Sequence, residues 1–256
     1  MVLWANAACG QAAPGTGEGA TALAGQALVD RALANELNAA EEQSQGQTHP
    51  MRYQLRKTTP RLTTTKDILE TRDGDVARTI AVRDNPLNQS ARDDEEARLS
   101  ELLGDPGKQR RRKEAEDEDA ARAMKVLRAL PTAFIYQDAG PGDGPEGKVE
   151  KFTFRPNPAF SPPDLETAVL PAMSGEIWID PVHLRVVRLE GHLEQDVNFG
   201  WGILGRFSKG GWIAIDQADV GNGQWRTVRF AMRMSARVVW KNRTFDTTEE
   251  QTHYAP

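Results

Sequence analysis

The spacing of hydrophobic positions changes character twice along this chain of 256 residues. Val29, Leu33 and Leu37 recur every four residues, with Asp30, Glu36, Glu41 and Glu42 elsewhere, which predicts an amphipathic helix from Thr21 to about Gln43. Gly46 to Pro50 breaks that period. Met51, Tyr53 and Leu55 then alternate with Arg52, Gln54 and Arg56, the two-residue repeat of a half-buried strand. The Thr-rich stretch 61–72 and the run Val76 to Arg83 predict further strands, with Asp73-Gly74 as a hairpin turn. Between 90 and 130 the helical period returns. Ser90 and Asp93 have a capping-box-like spacing ahead of Leu99, Leu102 and Leu103, and Gly104-Asp105-Pro106 supplies a stop. A second helix carries Ala120, Met124, Leu127 and Leu130 on one face and is expected to end at Pro131.

From Thr132 onward almost every segment reads as strand: Phe134 to Tyr136, Val149 to Phe154, Glu176 to Ile179, Arg185 to Leu189, Trp212 to Ile215, Trp225 to Met234, Val238 to Trp240 and a last stretch through Tyr254. Gly, Pro and Asn separate them and no helix intervenes, which implies an antiparallel sheet. The four prolines between Arg155 and Pro163 cannot sit in a ladder and must form a loop. Several strands are apolar on one side only: Phe152 with Phe154, Ile177 with Ile179, Ile213 with Ile215, and Val228 and Phe230 with Met232 and Met234. Such a face needs a second sheet, a helical cover or a ligand. Most of these side chains are expected to be core. The candidate ligand-binding set is Ile177, Ile179, Ile213, Ile215, Phe230, Met232 and Met234, lining a cavity in which Met and aromatic side chains adapt to acyl chains.

Charge narrows the partners. The 32 Lys and Arg against 37 Asp and Glu leave a net charge of −5, which removes the broad basic footprint of a nucleic-acid binder. The basic run Lys108 to Lys113 is followed at once by the acidic run Glu114 to Asp119, the composition of a solvated helix whose charges pair at i,i+3 and i,i+4. No apolar stretch reaches the roughly 18 residues that span a bilayer, so membrane association is expected to be peripheral rather than integral. Cys9 is the single cysteine, which excludes an intramolecular disulfide and a Cys-based zinc cluster. It follows a short apolar opening and the small-residue pattern Ala5-Asn6-Ala7, which resembles the tail of a secretory leader without its basic beginning. A true leader longer than this start is expected, with a periplasmic or secreted mature chain. Acylation at Cys9 fits less well, because Asn6 stands where a lipobox needs an apolar residue. Residues 10–20 have the composition of a flexible tether.

The motifs that carry chemistry fail on context. Gly200-Trp-Gly202-Ile-Leu-Gly205 fits the dinucleotide pattern G-x-G-x-x-G, but a turn-rich stretch and a strand follow it where a helix must start. No cofactor is expected. His49, His183, His192 and His253 show no metal-ligand spacing. His183 or His192 could meet Asp180 or Asp196 across a hairpin, the one arrangement from which a hydrolase could be built; surface imidazoles near strand ends are the plainer expectation. No serine elbow and no thiol in the folded part supply a nucleophile. A non-catalytic protein without metal is therefore expected.

The helix ahead of Met51-Arg-Tyr53, the pair Gly175-Glu-Ile-Trp-Ile-Asp180 and Arg185-Val-Val-Arg-Leu-Glu190, and the late Trp225 strand with Tyr254 together resemble the periplasmic half-barrel family that includes the lipoprotein carriers LolA and LolB and the stress-signalling protein RseB. The resemblance is concentrated in residues 131–256. It implies an α+β fold in which a long antiparallel sheet curves into an open half-barrel with helices on the concave side, formed as one domain from residue 21 to 256. It implies an apolar hollow that holds lipid or a lipidated protein, as in a carrier of the lipoprotein-sorting type. The alternative is a periplasmic sensor or scaffold that docks an envelope partner protein. The charged helical insert at 90–130 and the Pro-rich loop at 155–163 depart from the family pattern.

Overall fold

A computed structural model describes residues 17–199, 205–238 and 241–256. The leader-like opening, Cys9, most of the tether, residues 200–204 of the glycine motif, and Trp240 lie outside the described residues. In chain order the elements are α1 (Gly17–Ser44), β1 (Arg52–Thr58), β2 (Thr63–Leu69), β3 (Val76–Val82), β4 (Asn85–Pro86), α2 (Gln89–Gly104), α3 (Pro106–Ala133), β5 (Phe134–Gly144) and β6 (Gly147–Pro156). A 3₁₀ turn at Leu170–Ala172 leads to β7 (Met173–Asp180), β8 (Arg185–Leu193), β9 (Val197–Phe199), β10 (Gly205–Phe207), β11 (Trp212–Asp219), β12 (Trp225–Val238) and β13 (Lys241–Ala255).

All the pairings are antiparallel, and the strands run in the order β4-β3-β2-β1-β13-β12-β11-β8-β7-β6-β5, with β9 and β10 beside the far end of β12. The first and last strands of the chain, β1 and β13, therefore zip together in the middle of the sheet. The two ends, β4 and β5, do not meet, so the sheet is an open half-barrel. The helices lie inside its curve. α1 covers β5 through β8, α3 packs on α1, and the β2–β3 turn bends back onto α3, where the Asp75 amide donates to Glu116 Oε2 at 3.0 Å.

The core forms where α1 meets the sheet. Val29 and Leu33 are packed with Phe152, Phe154, Ile177, Ile179 and Val186, all at most 4% exposed. Burial of such aliphatic and aromatic side chains contributes about 1.5–3 kcal/mol each and drives the docking of the helix. Phe134, Tyr136 and Phe154 add a ring cluster beside them, with the Tyr136 hydroxyl donating to Leu130 O at 3.0 Å.

Several details differ from the sequence reading, among them Pro156, expected in the loop, which closes β6 opposite Phe134 at the strand's last position, and α1, which begins at Gly17 inside the expected tether. The N-cap of α2 is Asn88, whose Oδ1 accepts from the Ala91 amide at 2.9 Å; Ser90 and Asp93 lie inside the helix. Pro131 does not end α3, which continues to Ala133, because a proline in the last turn forfeits only a single ladder bond. The two late strands Trp225 to Met234 and Val238 to Trp240 are one strand through Val238. Val228 does not share the inward set: Asp216 pairs with Arg229 and Gln217 with Thr227, which leaves Val228 as the extra residue of a bulge.

Candidate functional site

The position of α1 is fixed by a buried carboxylate. Glu36, 8% exposed, accepts two hydrogen bonds at 2.8 Å from the Arg185 guanidinium, one at 2.9 Å from the Val186 amide and one at 3.3 Å from Gln217 Nε2. A buried charge needs this complete a set of partners. One residue earlier, Asn35 donates to Leu184 O at 3.1 Å and holds a turn residue whose φ is +54°. The sequence reading placed Glu36 off the apolar stripe. It is seven residues after Val29 and three after Leu33, so it falls on the stripe, and an acid at that spacing is the signal that was available.

Cross-strand register places the seven candidate residues on one face, the face that α1 covers in part. Phe152, Ile177, Leu189, Ile215 and Phe230 are opposite one another in successive strands, and Phe154, Gly175, Gly191, Ile213 and Met232 form the next row. Gly175 is required there: a Cβ on it would collide with the Glu190 carbonyl. Within this face the set divides. Ile177 and Ile179 are fully enclosed beneath α1. Ile213 and Met234 are half-buried and touch that core. Ile215, Phe230 and Met232 are half-buried and lie beyond it. The apolar strip reaches Phe245, opposite Met234 and 43% exposed, and stops along β13, where Phe230 faces Glu249 and Glu249 pairs with Lys57 at 2.8 Å. The result is a narrow apolar band with a polar border, to which an extended hydrocarbon can be matched in shape and character.

A separate cavity of about 800 Å³ opens between the second half of α1, the middle of α3 and the β2–β3 turn. Its floor includes Ala40, Ala123, Met124 and Leu127, and its rim includes Glu70, Asp75 and Glu116. None of the seven candidate residues lines it. Burial and the neighbouring Glu116 and Glu70 carboxylates push the Asp75 carboxyl up to about 6, against the opposing effect of Arg112.

His183 and His192 stand near opposite ends of β8, and each pairs with its own carboxylate. His183 Nδ1 lies 2.7 Å from Asp180 Oδ2, while Asp180 Oδ1 accepts from the amides of Val182 and His183, so the pair caps the β7–β8 turn. His192, toward the other end of β8, is 3.3 Å from Glu190. Asp196 binds the Lys209 amide and Arg206. Among the described residues no group of three or more His, Cys, Asp or Glu converges on a metal position. Gly205, the last glycine of the G-x-G-x-x-G pattern, begins a strand and not a helix. No helix among the described residues is long and apolar enough to cross a membrane.

No protein-family model matches the chain. No curated protein sequence matches it. Among solved structures, a domain assigned to outer membrane lipoprotein sorting, from Vibrio parahaemolyticus, is similar at 10% identity and a TM-score of 0.30, with 86% of this chain and 91% of that chain covered. The open antiparallel sheet itself is established by the strand pairing.

Proposed function

We propose that this protein is a non-catalytic carrier of the cell envelope that holds an acyl chain of a lipid or lipidated protein against the inner face of its half-barrel. The observation that carries the reading is the half-buried band of Ile213, Ile215, Phe230, Met232 and Met234, on the same face as the core but only partly covered by helix. An acyl chain gains about 0.8 kcal/mol per CH₂ it buries, so even part of such a chain would be retained. The leader-like opening supports an envelope location, and residues 21–256 are taken as one domain with the charged helices as an insert.

A second reading is favoured by the complete enclosure of Ile177 and Ile179. If the rest of the face is equally satisfied in solution, the protein is a scaffold, and the exposed helices α2 and α3 are its contact with a partner.

Native mass spectrometry of purified protein separates the two. The carrier reading expects co-purified lipid that is lost in Phe230→Asp and Met232→Asp variants with unchanged circular dichroism. A clean apo mass together with no uptake of a dansylated fatty acid refutes it and leaves the scaffold.

A further inference from the structure

The outer face of β12 carries a series of arginines, and their partners change along the strand. Arg229 lies 3.2 Å from Asp216 on β11, and Arg233 lies 3.7 Å from Asp246 on β13. Each guanidinium has a cross-strand carboxylate. At the far end the pattern reverses. Arg237 has Arg206 of β10 directly opposite on one side and Asn242 of β13 directly opposite on the other. Like charges in that relation destabilise a sheet, and a neutral amide does not offset them.

Arg206 spends one nitrogen on Asp196, at 3.2 Å. Arg237 and Arg243 have no ion pair among the described residues. Arg206 and Arg237 line one pocket of about 410 Å³, to which Ser208, Ser235 and Thr244 add hydroxyl groups; Arg243 borders it from a position opposite Ala236, out of phase with the other two. Two facing guanidinium groups with a single carboxylate, Asp196, between them stand out in a chain whose net charge is −5. Guanidinium groups match the geometry of tetrahedral oxyanions by paired N–H donation, and neighbouring hydroxyls complete the shell.

We propose that this pocket binds a phosphate group, with Arg237 and Arg206 as its principal ligands and the hydroxyls of Ser208, Ser235 and Thr244 in support. The anion supplies the negative charge that Asp216 and Asp246 supply further along the strand. The site is on the opposite face from the apolar band and stands independently of the carrier reading.

The test uses the full chain at low ionic strength, followed by amide NMR during titration with inorganic phosphate, with sodium chloride at matched ionic strength as control. A parallel flotation assay uses phosphatidylcholine vesicles with and without phosphatidylglycerol. Phosphate-specific shifts at residues 206–208 and 235–237 identify a free-anion site. Flotation only with phosphatidylglycerol, without those shifts, identifies a lipid headgroup as the source of the phosphate. In either case Arg237→Gln weakens binding about tenfold, the size of one charge-assisted hydrogen bond. Without anion, Arg237→Gln melts no lower than the parent, because a repulsion has been removed, and this checks that the variant folds. No response to either probe, or a response unchanged in the Arg206→Gln/Arg237→Gln double variant, overturns the proposal.

Discussion

His183 shows how one side chain can suggest chemistry and serve geometry. Its hydrogen bond to Asp180 raises the imidazole above its ordinary value, with the carboxylate charge adding to the effect. For Asp180 the largest influence is burial, which opposes ionisation, but the bonds from His183 and the turn amides outweigh it and leave the carboxyl lowered. The raised imidazole stabilises the fold fully below the ordinary histidine value and loses that contribution as pH rises through the raised one. The lowered carboxyl stabilises above the ordinary aspartate value and loses its contribution as pH falls. The turn is therefore held best between the two titrations. An NMR titration is expected to place the His183 midpoint above about 6.5, the unperturbed histidine value, and Asp180→Asn is expected to return it to the ordinary range. The ring is exposed, so the effect on global stability is small and screened by salt.

At the scale of elements, α2 protects a sheet edge. β3 has only the two-residue β4 on its outer side, paired at Ala81 and Val82. The rest of that edge is met by side chains of α2: Glu95 accepts from the Thr79 amide at 2.6 Å, and Arg98 donates to Ala77 O at 2.6 Å. The two side chains also bond to each other, and Arg98 above all draws the Glu95 carboxyl down to about 2 against the opposing effect of burial. The carboxylate contribution is thus present above the ordinary glutamate range and is lost as pH falls toward 2. Glu95→Ala leaves the Thr79 amide without its partner and is expected to cost about 1–3 kcal/mol in urea unfolding. Hydrogen exchange at Thr79 should accelerate with it; an unchanged exchange rate would show that the edge is protected by other means. Sequence spacing suggested a solvated insert, and the pairs Arg112 with Glu116 and Lys113 with Asp117 agree. Which strand edge the insert would cover was not legible, because a helix's polar face carries no mark of its partner.

For the molecule as a whole, the decisive contact joins residues far apart in the chain. Glu36 binds Arg185 and Gln217 across 149 and 181 positions and locks α1 over the junction of β8 and β11. Glu36→Ala strands a largely buried guanidinium and is expected to destabilise the fold by about 3–5 kcal/mol. Replacing both partners by Met should recover much of that loss, since an apolar pair of similar volume carries no desolvation cost. Urea midpoints of the single and double variants measure the difference. The sequence by itself determined the helices, most strands, the antiparallel class and the division of each strand into an apolar and a polar side, because these follow from local period and punctuation. It therefore placed Ile177, Ile179, Ile213, Ile215, Phe230, Met232 and Met234 on inward faces. Only the tertiary structure decided that α1 encloses the first two and leaves Ile215, Phe230 and Met232 beyond the core, that β1 closes on β13, and that Arg237 stands opposite Arg206. Those outcomes depend on strand register, bulges and the resting place of a helix, which arise from contacts between distant segments and leave no periodic trace in the chain.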